Sequence, residues 1–90
     1  MRKQTLTDRN VRVLHAIVQL YIESGEPVAS RTVARSLPEN LSPASIRNIM
    51  ADLYEDGYLA QPHTSAGRIP TGKAFESYVR SLAVRKLVSD

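Results

Sequence analysis

Ser42 followed by Pro43 constrains the fold more than any other pair of residues in this chain. A serine hydroxyl can accept from the free amides of a helix's first turn, and a proline at the first helical position lacks only an amide proton that has no partner there anyway. Gly57 supplies the matching stop, so a helix is predicted from Pro43 to about Asp56. Within it Ile46, Ile49, Met50 and Leu53 fall on one stripe and form the buried face. At about 100° per residue, Ala44, Asn48, Ala51 and Glu55 lie opposite, with Ser45 and Asp52 on one edge and Arg47 on the other.

The segments on either side are fenced by similar signals. Thr7 is a cap for a helix over Asp8 to Ser24, ended by Gly25, whose stripe of Leu14, Ile17, Val18 and Tyr21 is widened by Val11, Val13 and Leu20. Pro27 cannot continue that helix and biases Glu26 to extended backbone, so a short extended segment follows. Ser30 is predicted to cap a short second helix of about Arg31 to Ser36, with Val33, Ala34 and Leu37 inward and Pro38 as the stop. Turn formers then lead to Leu41, which is predicted to be buried. After Gly57, Tyr58 to Gln61 reads as a strand, Thr64 to Arg68 as a small loop and Ile69-Pro70 as a returning edge strand, which together make a β-hairpin. A last helix begins near Thr71 with Phe75, Tyr78, Val79 and Leu82 on one face. Beyond Leu82 the register breaks, because Arg85 and Lys86 take the stripe while Val84, Leu87 and Val88 turn elsewhere, toward a surface outside these residues.

Ninety residues make one small domain, without room for a deep substrate cavity beside the core. No stretch approaches the roughly 20 apolar residues of a membrane span, and Met1, Arg2 and Lys3 run into polar residues rather than a signal-peptide core. The chain therefore reads as cytosolic. The absence of cysteine excludes disulfides, thiolate zinc sites and a cysteine nucleophile. A net charge of +3 with a pI near 9.6 favours an anionic partner. Placement adds to this: Glu23 and Glu26, and Asp52, Glu55 and Asp56, form acidic clusters, whereas Gly57 to Phe75 carries only Arg68 and Lys73 as charges.

Helix, short helix, turn, longer helix and hairpin is the order of a winged helix-turn-helix, a mainly α fold in which the third helix enters the major groove and a C-terminal helix follows the wing. The exposed face of the third helix suits that groove. Asn48 can pair bidentately with adenine, Arg47 with guanine or a phosphate, and Ala44 is small enough to meet a thymine methyl. Ser30, Arg31 and Thr32, at the start of the second helix, read either as a plain cap or as phosphate donors. Arg68, on the glycine-containing hairpin, reads either as a solvated cation or as a contact to a minor groove or flanking phosphate. His63 is either a donor to phosphate or an ordinary loop residue.

Three stretches resemble a known family. Leu41 to Leu53 (LSPASIRNIMADL), then Gly57 to Leu59, then Gln61 to Thr71 (QPHTSAGRIPT) closely resemble the HrcA family of bacterial heat-inducible transcription repressors. Glu26 to Val33 (EPVASRTV) is similar to that family's entry into its second helix, and the resemblance covers about Thr5 to Val79. It implies repression of heat-shock chaperone genes through an inverted-repeat DNA operator, a homodimer in the full-length protein, and a chaperonin as a possible partner. It also implies that Ser45, Arg47 and Asn48 read bases, to which the chemistry of the helix face adds Ala44, while Ser42, Thr64, Ser65 and Arg68 hold the backbone or the wing's groove. Ser30, Arg31, Thr32, His63 and Lys73 are grouped with these backbone and wing contacts. The chain departs from the pattern at Ile49, where an acid is usual, and at Ala74 to Ser77, which replaces a Gly-aromatic-Arg pattern. Because the predicted stripe buries Ile49, the first departure bears on packing more than on readout. Residues 1–82 are expected to be the DNA-binding domain and 83–90 a helix end or linker toward a dimerisation and effector region.

An enzyme is disfavoured because His15 and His63 sit in unrelated places, with no nucleophile elbow or paired carboxylates beside either. Two distant histidines without cysteine make no metal-ligand set, and no cofactor is expected. The second rival is a winged helix that contacts protein or RNA, since fold alone does not set function.

Overall fold

Thr7 accepts a hydrogen bond from the Asn10 amide at 3.2 Å and so caps α1 (Asp8–Ser24), which ends where the Gly25 amide donates to the Tyr21 carbonyl at 2.7 Å. The computed structural model describes residues 6–38, 40–63 and 66–88, with side chains through residue 84. After α1 come α2 (Ser30–Ser36), α3 (Pro43–Glu55), β1 (Leu59–Ala60), β2 (Ile69–Pro70) and α4 (Gly72–Val88). This is the element order expected from the caps and breakers.

The core is one cluster. Val13, Leu14, Ile17 and Val18 of α1 meet Val33 of α2 and Ile46, Ile49, Met50 and Leu53 of α3, closed by Val28, Leu59 and Ala74. Burial of each full-sized aliphatic side chain contributes roughly 1.5–3 kcal/mol, so the α1 and α3 stripes supply most of the driving force. Ile49 is buried, as its stripe requires, and Leu41 packs half-buried at the edge of the cluster.

α3 begins and ends as its fences predict. Ser42 Oγ accepts from the Ser45 amide at 3.1 Å. At the other end the Tyr58 amide donates to the Leu53 carbonyl at 2.9 Å and the Gly57 amide to the Tyr54 carbonyl at 3.1 Å. These crossed bonds form a Schellman motif around Gly57, whose φ of 85° lies in the left-handed region. The chain is thereby turned straight into the hairpin.

The short second helix starts one residue earlier than predicted. Its first backbone bond runs from the Val33 amide to the Ala29 carbonyl at 3.2 Å, which makes Ala29 the cap and Ser30 the first helical residue. Ala29 has no side-chain acceptor, and the expected Ser30 cap bond is not formed. The neighbouring backbone explains the shift. Val28 is fixed by two bonds to Arg68, from its amide to the Arg68 carbonyl at 2.8 Å and to its carbonyl from the Arg68 amide at 3.0 Å. Helical backbone therefore begins directly beyond that pinned residue.

In the hairpin Leu59 pairs with Pro70 and Ala60 with Ile69, antiparallel. Arg68, next in line, pairs with Val28, so the returning arm is bonded to a segment on each of its sides. Thr71 locks the base of the wing, with its hydroxyl donating to the Gly57 carbonyl at 2.7 Å and its amide to the Tyr58 carbonyl at 3.1 Å. Gly67 is required by close approach: a Cβ there would lie 3.0 Å from Pro27 Cβ and 3.1 Å from the Val28 oxygen.

α4 lies back along α1, with Phe75 edge-on to Tyr21 at 6.3 Å and Tyr78 edge-on to His15 at 5.5 Å. The predicted apolar face is corrected here, because Val79 is 59% and Leu82 43% exposed. The stripe that meets α1 instead passes through Ala74, Ser77, Tyr78 and Ser81, all buried or half-buried. Small residues let the two helices approach, and a bond of 3.1 Å between His15 Nε2 and Ser77 Oγ fixes the rotation. A stripe drawn through the large apolar residues overlooked that polar contact.

Gly57→Ala forces a side chain into left-handed backbone and should lower stability by roughly 1–2 kcal/mol in a urea titration. Gly67→Val, which drives atoms into Pro27 and Val28, should cost about 1–3 kcal/mol. An unchanged midpoint for Gly67→Val would mean that the wing root is not packed against residues 27–28 in solution.

Candidate nucleic-acid interface

Ala44, Arg47, Asn48, Ala51, Asp52 and Glu55 are exposed on α3, on the side away from its buried stripe. The face therefore follows from the helix period alone. Neither the Arg47 nor the Asn48 side chain makes a hydrogen bond or ion pair among the described residues, which leaves both able to reach outward. Ser45 sits differently. It is half-buried, and its hydroxyl accepts from Ser42 Oγ at 3.2 Å, so it is built into the cap while keeping its own proton to donate.

The electrostatics of α3 are graded along its length. Its first turn contains no acid, and the helix dipole places positive potential at that end. Asp52 and Glu55 stand exposed in the final turns. α2 likewise has no acid in its first turn, where Ser30 is half-buried and Arg31 and Thr32 are exposed.

Arg68 is more constrained than a solvated cation on a loop. It is half-buried at the wing root, with Nη1 donating to the Ala66 carbonyl at 2.8 Å and to the Gly67 carbonyl at 3.4 Å. Its guanidinium stands 5.5 Å from the centroid of the Tyr54 ring. Its Nε is buried without an acceptor among the described residues. Lys73 is also engaged: Nζ donates to the Asp56 carbonyl at 2.9 Å and lies 4.4 Å from the centroid of the Tyr58 ring. That position complements the carbonyl end of α3 and sets Lys73 at the opposite end of the helix from Ala44. His63 is exposed in the hairpin, and Thr64 and Ser65 lie outside the described residues.

Sequence reasoning missed Tyr54 and Tyr58, the two rings that receive these cations. The signal available for Tyr54 was its spacing, because Arg47, Ala51 and Tyr54 repeat at i, i+4 and i+7 along one edge of α3. No comparable signal marks Tyr58, whose partner Lys73 comes from the next helix.

Among the described residues no group of three or more histidine, aspartate or glutamate side chains is placed to hold a metal ion, and no helix is long and apolar enough to cross a membrane.

Residues 5–83 match the family model described as the winged helix-turn-helix transcription repressor, HrcA DNA-binding. The chain is 54% identical over 83 residues to the heat-inducible transcription repressor HrcA of Geobacter sulfurreducens, covering 91% of this chain and 24% of that protein. It is 57% identical over 77 residues to the protein of the same name from Acetivibrio thermocellus, covering 86% of this chain and 22% of that one. A crystal structure described as that of a hypothetical protein superposes with a TM-score of 0.84 at 46% identity, over 88% of this chain and 25% of that one. The chain thus spans about a quarter of the length of the curated relatives it matches. Both the match over residues 5–83 and the wing set beside a capped third helix lead to one conclusion: this chain belongs to the HrcA family of winged helix-turn-helix transcription repressors, and it corresponds to the family's DNA-binding domain.

Proposed function

We propose that this domain is the operator-reading head of a bacterial repressor of heat-shock chaperone genes, that residues 1–82 form that head, and that the full-length protein binds an inverted-repeat operator as a homodimer. The observation that carries the reading is the exposed face of α3, where Arg47 and Asn48 have no partner among the described residues and the neighbouring first turn contains no acid. In this reading Asn48 and Arg47 pair with base edges, Ala44 meets a thymine methyl and Ser45 donates its remaining proton. Ser42 presents the capped N-terminus to a phosphate, and Ser30, Arg31 and Thr32 contact the backbone from α2. His63, Thr64, Ser65 and Arg68 act through the wing. Lys73 holds the junction of α3 and α4, and its effect on DNA is confined to its charge. A two-fold dimer would place its half-sites one helical turn apart, about 34 Å, or a multiple of that distance. In the full-length protein a chaperonin is the proposed regulator.

Selection from a pool of random duplexes, followed by titration of the selected duplex and its scrambled counterpart at two salt concentrations, tests this function. The selected duplex should bind tighter, and log affinity should fall with log salt at about −0.9 per phosphate contacted. Equal affinity for both duplexes would sink sequence-specific reading, and a salt-insensitive complex would point to an apolar protein interface instead.

Asn48→Ala and Arg47→Ala should each cost roughly 1–3 kcal/mol on the selected duplex and little on the scrambled one. Arg68→Ala should weaken both duplexes alike; a loss confined to one base pair would make the wing a reader.

A further inference from the structure

We infer that Tyr54 is a positioning residue for DNA binding, which sets the wing against the recognition helix by carrying the Arg68 guanidinium on its ring. The inference rests on the proposed function of α3 and the wing. Tyr54 is 46% exposed, lies outside the core cluster and follows Arg47 by two turns along the same edge of α3. The wing has few restraints of its own, since each strand is two residues long. Its returning arm is fixed on one side by the backbone bridge between Arg68 and Val28. The side chain of the same Arg68 crosses to α3 and stands over Tyr54, while its Nη1 holds the carbonyls of Ala66 and Gly67. A continuous path therefore runs from the Tyr54 ring through one guanidinium to Ala66 and Gly67 of the wing.

This arrangement divides the labour of Arg68 in two. Its backbone belongs to the sheet, and its side chain is a strut between the wing and the reading helix. The strut needs a ring face, not a hydroxyl, because the attraction arises from the quadrupole of the ring. Phenylalanine should therefore replace Tyr54, and an aliphatic residue of similar bulk should not. Loss of the strut leaves the α1–α3 core intact and frees Ala66 and Gly67 from α3.

The test uses the ninety-residue chain with the selected duplex and a shortened duplex that lacks the flanking base pairs reached by the wing. Wild type should bind the longer duplex more tightly. Tyr54→Leu should lose about three- to thirty-fold on the longer duplex, the scale of one cation–π contact, and almost nothing on the shorter one. Its salt slope on the longer duplex should fall by about one phosphate's worth. Tyr54→Phe should match wild type on both, and circular-dichroism melts should show that all three proteins are folded. The inference is overturned if Tyr54→Leu binds the longer duplex like wild type, if it loses equally on both duplexes, or if Tyr54→Phe behaves like Tyr54→Leu. A wild type that binds duplex but ignores the flank overturns this inference and leaves the reading of α3 standing. A wild type that distinguishes no duplex overturns both.

Discussion

Two backbone hydrogen bonds between Val28 and Arg68 hold the rest of the architecture in place. Without them the segment between α1 and α2 would be held only by the buried Val28 side chain, and the hairpin would be a pair of two-residue strands, too short to be stable alone. With them, residues that lie forty positions apart in the chain are fixed at neighbouring points, one at the start of the helix-turn-helix and one at the root of the wing. The bridge also explains nearby choices. Gly67 has no side chain because Pro27 and Val28 leave no room for one, and α2 opens on Ala29 because the residue before it is already pinned.

Local rules recovered much of this fold because its largest elements are delimited locally. Thr7, Ser42, Gly25 and Gly57 act within a few residues of themselves, and the stripes of α1 and α3 are set by a period that needs no knowledge of the partner. Where the outcome depends on a distant residue, local signals do not reach it. The start of α2 was decided by Arg68, far downstream, and the rotation of α4 by a bond between His15 and Ser77. A hydroxyl on a helix carries no mark of which imidazole it will meet. Apolar bulk at Val79 and Leu82 was therefore given more weight than geometry allowed.

The candidate interface divides in the same way. Arg47 and Asn48 were legible because exposure on α3 follows from its buried stripe, and the chemistry of an amide or guanidinium is intrinsic to the side chain. Arg68 and Lys73 were legible only as charges. Their engagement with Tyr54 and Tyr58, and with the carbonyls of Ala66, Gly67 and Asp56, depends on tertiary placement that no spacing encodes. Among the candidate site residues, Arg47 thus extends outward from α3, whereas Arg68 and Lys73 are folded onto aromatic rings.

The grading of charge along α3 has a further consequence. A helix whose capped end carries the positive pole and no acid, and whose other end sets Asp52 and Glu55 beside Lys73 and Arg68, offers a polyanion unopposed attraction only at the capped end. Within a screening length of about 8 Å at physiological salt, that difference favours approach with the capped end forward. Backward encounters are discouraged early, and the search for a productive pose becomes a search over fewer angles.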